Sequence, residues 1–389
     1  MAVVDRNQII TGFKAKMIRL FMLFSIGRLV YIRFKNPVKG FRILASMRKK
    51  RKKVQGLPKI SKLIKSDNRY FFSDNFPGWP SKAFNGFFSE EILRTSGLYK
   101  EMPHLQTILF AITSRCRLNC KHCFEWDNLS ADEHLSSDEL KNIVRKCLSF
   151  GIHHFQFSGG EPLERFDDLC ELIFLVKETS DSWVLTSGFG LTYERAVKLR
   201  ESGLTGANIS LDHWNEELHN SFRNSEKSFH WVKEAVKNCN KAGILTGLSL
   251  CSTRSFLTEE NIYKYSELAR EWEVGFIRLL EPKESGKFKG KDVLLSPEQI
   301  NILDNFYLDL NAPGKYPSFP IVTYPGYHQR RVGCFGAGNR YLYIDSKGDI
   351  NACPFCQGAI GNILVTTLDE SVSELRSKGC HQYEMNVTE

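Results

Sequence analysis

Thr107-Ile108-Leu109-Phe110-Ala111-Ile112-Thr113 is an apolar, strand-like run, and it leads directly into Cys116-x-x-x-Cys120-x-x-Cys123. Three thiolates on one short loop can hold three irons of a [4Fe-4S] cube and leave the fourth iron without a protein ligand. That open iron is a place where chemistry could happen. Zinc is the alternative, because thiolates at short spacing also build zinc knuckles once a fourth Cys or His joins them, and His122 lies inside the loop. The spacing does not match the paired C-x-x-C of a zinc ribbon.

Working outward, apolar runs of strand length alternate with helical patterns from residue 106 onward, the signature of β-α units on a parallel sheet. Six runs are expected as strands: Thr107 to Thr113, His154 to Ser158, Trp183 to Ser187, Ala207 to Leu211, Leu245 to Cys251 and Phe276 to Glu281. Helices are expected between them, including Ser137 to Phe150 with acidic residues in its first turn and Ser228 to Ala242 ending at Gly243. Six units without a seventh and eighth predict an α/β fold, a partial (β/α)6 TIM-like barrel. In such barrels the working residues stand at the C-terminal ends of the strands. The motifs sort onto that rim. The cysteine loop follows the first strand, Gly159-Gly160-Glu161-Pro162 follows the second, Ser187-Gly188 ends the third, and Ser210-Leu211-Asp212 ends the fourth.

The cysteine loop, the Gly-Gly-Glu-Pro segment, and Ile209-Ser210-Leu211-Asp212 followed by His219 and Arg223 together resemble the radical S-adenosylmethionine (radical SAM) superfamily. The resemblance implies that the amino and carboxylate groups of SAM chelate the open iron, and that an electron entering the sulfonium releases a 5′-deoxyadenosyl radical. Cys116, Cys120 and Cys123 become the cluster ligands. SAM contacts are implied at Gly159, Gly160, Glu161, Ser187, Ser210, Asp212 and Arg223, with Ser210 toward the nucleoside and Arg223 paired with the methionyl carboxylate. The glycines would let backbone approach the cofactor with no Cβ in the way, and Glu161 would anchor its loop or accept from the methionyl ammonium. His122 stands where the family commonly has an aromatic near adenine, and Phe124 is the neighbouring candidate. His213 replaces the usual Gly after the Asp, which leaves that loop's geometry open. Read without the resemblance, Arg223 is a surface helix cation, His219 is structural and Gly-Gly-Glu-Pro is an ordinary turn. No catalytic acid or base is legible. Arg278 or Glu281, at the end of the sixth strand, is expected to face the barrel mouth or to form a strand-end salt bridge.

Beyond the barrel, Cys334, Cys353, Cys356 and Cys380 form a second group, with Leu342 to Ile344 and Asp349 to Ala352 read as a hairpin and Gly361-Asn362-Ile363 trailing it. This arrangement is similar to the twitch and SPASM extensions of the superfamily, which implies an auxiliary [4Fe-4S] cluster. Four thiolates make one closed site, and without Cys380 one iron would be open. A zinc ribbon remains the alternative. Pro354 follows Cys353 where anaerobic sulfatase-maturing members carry an Asp, which counts against formylglycine formation.

With 389 residues and 42% apolar content, the chain can bury a large core. Of its 11 cysteines, Cys147, Cys170, Cys239 and Cys251 sit singly in expected helices or strands as small hydrophobes. The other seven fall in loops, which fits metal binding rather than a disulfide framework and predicts a reducing, cytoplasmic setting. The net charge of +9 is uneven, since Arg48-Lys49-Lys50-Arg51-Lys52-Lys53 is a block of cations. Met17 to Phe34 is apolar but is interrupted by Arg19, Arg28 and Arg33, so it is not expected to cross a bilayer unaided, and no signal-cleavage pattern follows it. On a helical wheel its cations spread around the axis, which weakens an interfacial helix. Contact with a membrane surface stays open beside a helix packed on its own protein.

Three regions follow: a helical, basic segment over 1–105, the barrel over 106–320, and a small cysteine-rich domain over 321–389. The first shows no alternating strands, which argues against a three-stranded winged, leader-binding domain. The expected activity is hydrogen abstraction from a peptide or protein. A lipid or other small molecule is second, and the resemblance implies an electron donor such as flavodoxin or ferredoxin. A zinc-bearing nucleic-acid-binding protein is the reading from another class, disfavoured because the basic block lies outside both cysteine groups.

Overall fold

The computed structural model describes residues 8–55, 61–96, 105–380 and 383. Strand β1 (Gln8–Ile10) leads into a helical hairpin, α1 (Gly12–Phe34) and α2 (Pro37–Gln55). Next come β2 (Leu63–Ser66), β3 (Arg69–Phe71) and α3 (Lys82–Ser96). β1, β2 and β3 form an antiparallel sheet, so the N-terminal region is not purely helical as expected. These strands have three or four residues each, too few for a period-two pattern to stand out.

The alternating part runs β4 (Thr107–Ala111), α4 (Ser137–Ser149), β5 (His154–Ser158), α5 (Phe166–Val176), β6 (Asp181–Thr186), α6 (Tyr193–Ser202) and β7 (Gly206–Ser210). It continues with α7 (Glu216–Arg223), α8 (Ser228–Ala242), β8 (Leu245–Cys251), α9 (Glu259–Glu271), β9 (Phe276–Leu280), α10 (Pro297–Asn311), β10 (Ile321–Thr323), α11 (Pro325–Val332), β11 (Tyr341–Ile344), β12 (Ile350–Asn351) and α12 (Leu368–Lys378). Local chemistry sets the helix ends. Ser136 and Glu139 close a reciprocal capping box at the start of α4, and Gly203 and Gly243 end α6 and α8 in the left-handed conformation.

The six expected strands are β4 to β9, but the sheet continues past them. β10 adds in parallel to β9, and β11 adds in parallel to the other edge at β4, with β12 antiparallel beyond it. β10 is only three residues behind Pro320, and it reads as loop in the sequence.

Alternation along the strands sorts two layers. Phe155, Phe157, Val184, Ile209, Leu248 and Ile277 point outward into the core shared with the helices. The other parity faces a lumen. There Arg278 on β9 reaches Gln156 on β5 at 3.0 Å, although four strand steps of a flat sheet would part them by about 19 Å. The sheet is therefore strongly curved, an open partial barrel.

The β2–β3 hairpin closes the lumen from below. Ile64 and Phe71 are buried with Trp183 in the first half of β6 and with Leu245, Phe276 and Ile321, which open β8, β9 and β10. The loop after β3 reaches further in. Asp74 accepts from Arg278 Nε at 2.7 Å and from Asn208 Nδ2 at 3.1 Å, while Asn75 accepts from Arg278 Nη2 at 2.9 Å. Arg278 thus belongs to the floor of the lumen, correcting the expectation that it faces the mouth.

Candidate active site

The cysteine loop and the Gly-Gly-Glu-Pro segment are laced together by backbone. Gly160 N donates to Thr113 O at 2.9 Å and Glu161 N to Arg115 O at 2.7 Å. A Cβ on Gly159 would strike the Thr113 carbonyl, and one on Gly160 would strike the Arg115 carbonyl. Gly159 also has φ +139°, a conformation closed to most side chains. Both glycines therefore serve the docking of this loop on the cysteine loop.

Glu161 is fully committed. Its carboxylate accepts from Thr186 Oγ1 at 2.6 Å, Leu163 N at 3.2 Å, Ser187 N at 2.8 Å and Ser187 Oγ at 2.5 Å. Burial raises its pKa, and those four donors work against that rise. Its place is the anchor between the ends of β5 and β6, with Ser187 as its partner. No acceptor capacity is left over for an ammonium.

At the end of β7, Asp212 Oδ2 accepts from Arg223 Nε at 2.6 Å and Oδ1 from Cys251 N at 3.1 Å. Arg223 Nη1 then reaches Cys120 Sγ at 3.6 Å. Burial alone would raise the Asp212 pKa, but the Arg223 guanidinium holds the carboxyl below the usual range. Arg223 is buried, so the surface-cation reading fails. His219 accepts the Asp212 N–H on Nδ1 at 3.1 Å, which makes it a fixed structural histidine. His213 takes no left-handed backbone and accepts from Asn215 N at 2.9 Å, so the loop does not need the glycine it lacks.

Ser210 shares a strand face with Asn208, and register sets it beside Ser249 and, one strand on, Arg278. It therefore looks into the lumen just above the polar floor. His122 stacks on Phe222 with centroids 4.8 Å apart, and burial pulls its pKa down to about 4, leaving a neutral ring. Phe124 turns elsewhere, edge-on to Phe355 of the second cysteine group at 5.7 Å. Glu281, at the end of β9, forms the expected ion pairs. It binds Lys283 at 3.3 Å and also Arg330, and it accepts from Tyr324 at 2.6 Å.

The thiols fit a cationic cluster. Burial pushes Cys116 and Cys123 up to about 12, so both remain protonated at neutral pH unless a metal takes the proton's place. A cube would suit three thiols on one loop, because each thiolate takes a different iron.

The family model described as the radical SAM superfamily matches residues 110–270. Residues 110–270 form a radical SAM domain. GTP 3′,8-cyclase of Clostridium perfringens (strain 13 / Type A) is 29% identical over 267 residues, covering 65% of this chain and 81% of that protein. AdoMet-dependent heme synthase of Methanosarcina barkeri is 28% identical over 279 residues, covering 66% and 78%. Among solved structures, Streptococcus suis SuiB bound to precursor peptide SuiA superposes with TM-score 0.57 at 15% identity, over 79% of this chain and 72% of that one. Native anSMEcpe with bound AdoMet gives TM-score 0.54 at 21% identity, over 72% and 83%. These likenesses show the fold. A radical SAM domain implies a [4Fe-4S] cluster and SAM.

The second cysteine group also gathers. Cys334, Cys353, Cys356 and Cys380 line one cavity of about 220 Å³ with Ala337, Ala352 and Gly379. The Cys380 thiol lies within hydrogen-bond reach of Cys334 and Cys356, which brings this distant cysteine into the group.

Two residues that carry the arrangement had no motif to announce them. Asp74 lies far from the barrel in sequence. Gln357 Nε2 reaches Phe124 O at 3.3 Å and Glu125 Oε1 at 2.9 Å, tying the two cysteine loops together. For the first, the one available signal was an Asp set within the Phe-rich stretch Phe71 to Phe76, and there was none for the second.

Proposed function

We propose that this enzyme abstracts hydrogen from a peptide or protein substrate bound over the barrel lumen, using one SAM-ligating cluster and one auxiliary cluster. The carrying observation is the convergence on one rim of Cys116, Cys120 and Cys123, the Glu161 anchor, and the Asp212–Arg223 pair, with Arg223 in reach of Cys120 Sγ. When bound, the cluster and SAM supply one-electron cleavage of the sulfonium and a radical able to take hydrogen from an unactivated carbon. The residues of this chain aim and shield. Arg223, held by Asp212, keeps a fixed cation beside Cys120 for an anionic carboxylate to meet, and Ser210 offers a hydroxyl on the lumen wall. Cys334, Cys353, Cys356 and Cys380 would hold the second cluster. A low-potential donor such as flavodoxin or ferredoxin would deliver the electron.

Peptide substrates are favoured because SuiB was solved with the precursor peptide SuiA, and anSMEcpe with the Cp18Cys peptide. The names GTP 3′,8-cyclase and AdoMet-dependent heme synthase among the sequence relatives support a small molecule as the second reading.

Anaerobically reconstituted protein should contain about eight irons per chain and release 5′-deoxyadenosine from SAM on reduction. A Cys116→Ala, Cys120→Ala, Cys123→Ala variant should lose that release and about four irons. A Cys353→Ala, Cys356→Ala variant should keep SAM cleavage and lose only the second set. Zinc-loaded, iron-free protein that leaves SAM intact would refute the proposal.

A further inference from the structure

Helix α1 is apolar on two sides. One side is buried: Ala15, Ile18 and Met22 pack with Ile10, Leu63 and Phe84, and Val30 packs with Ile43 and Ile92. The other side carries Phe13, Met17, Leu20, Phe24 and Tyr31, whose steps of four, three, four and seven residues set them on one stripe. That stripe runs about 27 Å along the helix. It is open, with Phe13 78%, Phe24 66% and Tyr31 63% exposed, and Phe41 of α2 is 74% exposed. Two opposed apolar faces cancel on a helical wheel, which is why the sequence alone shows little amphipathic character here.

The charge around the stripe has one sign. Residues 12–55 contain 14 Lys and Arg and no Asp or Glu. Lys14, Lys16, Arg28, Lys35, Lys39 and Arg42 are exposed beside the apolar face. Of the six-cation block, Arg48 and Lys49 are exposed, and the side chains of the other four lie outside the described residues.

We propose that the α1–α2 face docks on a bilayer rich in anionic lipid, with the stripe entering the headgroup–acyl boundary and the flanking cations meeting lipid phosphates. Apolar burial and attraction to anionic headgroups are the two signals that together hold a protein on a bilayer. A second copy of this chain is a poor occupant, since two all-cationic faces would repel. Nucleic acid would satisfy the cations and leave Leu20, Met17 and Phe24 in water. None of the described helices is long and apolar enough to cross a membrane, so the hairpin lies on the surface. This inference does not rest on the redox reading.

The test is sedimentation of the full reconstituted chain with phosphatidylcholine vesicles and with vesicles holding about 30 mol % phosphatidylglycerol. The anionic vesicles should bind at least about tenfold tighter, and high salt should release the protein. A Phe13→Ser, Phe24→Ser variant should bind them about tenfold or more weaker while keeping wild-type SAM cleavage, which is read in parallel and reports on the redox chemistry separately. No binding to anionic vesicles at low salt overturns the proposal, as does equal binding by the double variant. An acidic protein that takes this face while the vesicles do not would also overturn it.

Discussion

Arg223 is held between two groups of the proposed site. Its guanidinium makes two directed contacts, to Asp212 at 2.6 Å and to Cys120 Sγ at 3.6 Å. Lysine keeps the charge and loses the planar fork, so it cannot make both. Arg223→Lys should therefore lower SAM cleavage or cluster retention by about 10- to 100-fold, as changes behind a metal ligand commonly do. The 5′-deoxyadenosine release rate, set beside iron content, separates the two losses. The residue type and its spacing after Asp212 were legible in the sequence. Its grip on Cys120 was not, because the two residues are 103 positions apart. Glu161 is similar, since only the fold shows that Thr186 and Ser187 fill its carboxylate.

At the scale of elements, the β2–β3 hairpin and the loop behind it act as a stopper. Asp74 is fully buried and is the charge partner of Arg278, which in turn holds Gln156 and Asn75. Asp74→Ala would leave a buried guanidinium without its counter-charge, so it should destabilise the fold by about 3–5 kcal/mol. The shift in urea midpoint measures this, and a change within error would mean that water reaches the lumen floor and screens Arg278. The short strands of this region escaped the sequence pattern because their stability comes from Trp183, Leu245 and Phe276 across the lumen. β10 escaped for the same reason, being three residues held by pairing with β9.

Across the whole molecule, Lys62 ties the N-terminal region to the far edge of the barrel. Its ammonium donates to the carbonyls of Tyr316, Phe319 and Pro320 at 2.9–3.1 Å. Burial pulls its pKa from 10.5 to about 7. Between about pH 7 and 10 the unfolded chain keeps a proton that the folded chain gives up, so unfolded protein binds more protons and stability rises with pH in that window. Wild type should gain stability from pH 7 to 9 relative to Lys62→Met, and equal urea midpoint shifts in the two proteins would contradict it. The sequence by itself determined the alternating α/β sheet, the order of its six main strands and the cysteine groups. Those are written in local periodicity and in ligand spacing, which need no knowledge of distant contacts. Tertiary structure alone decided what joins them: Asp74 under Arg278, Arg223 on Cys120, Cys380 beside Cys334, and the outward stripe of α1. The physical reason is that burial and charge pairing are properties of neighbours in space, and curling the sheet into a barrel makes neighbours of residues that the chain keeps far apart.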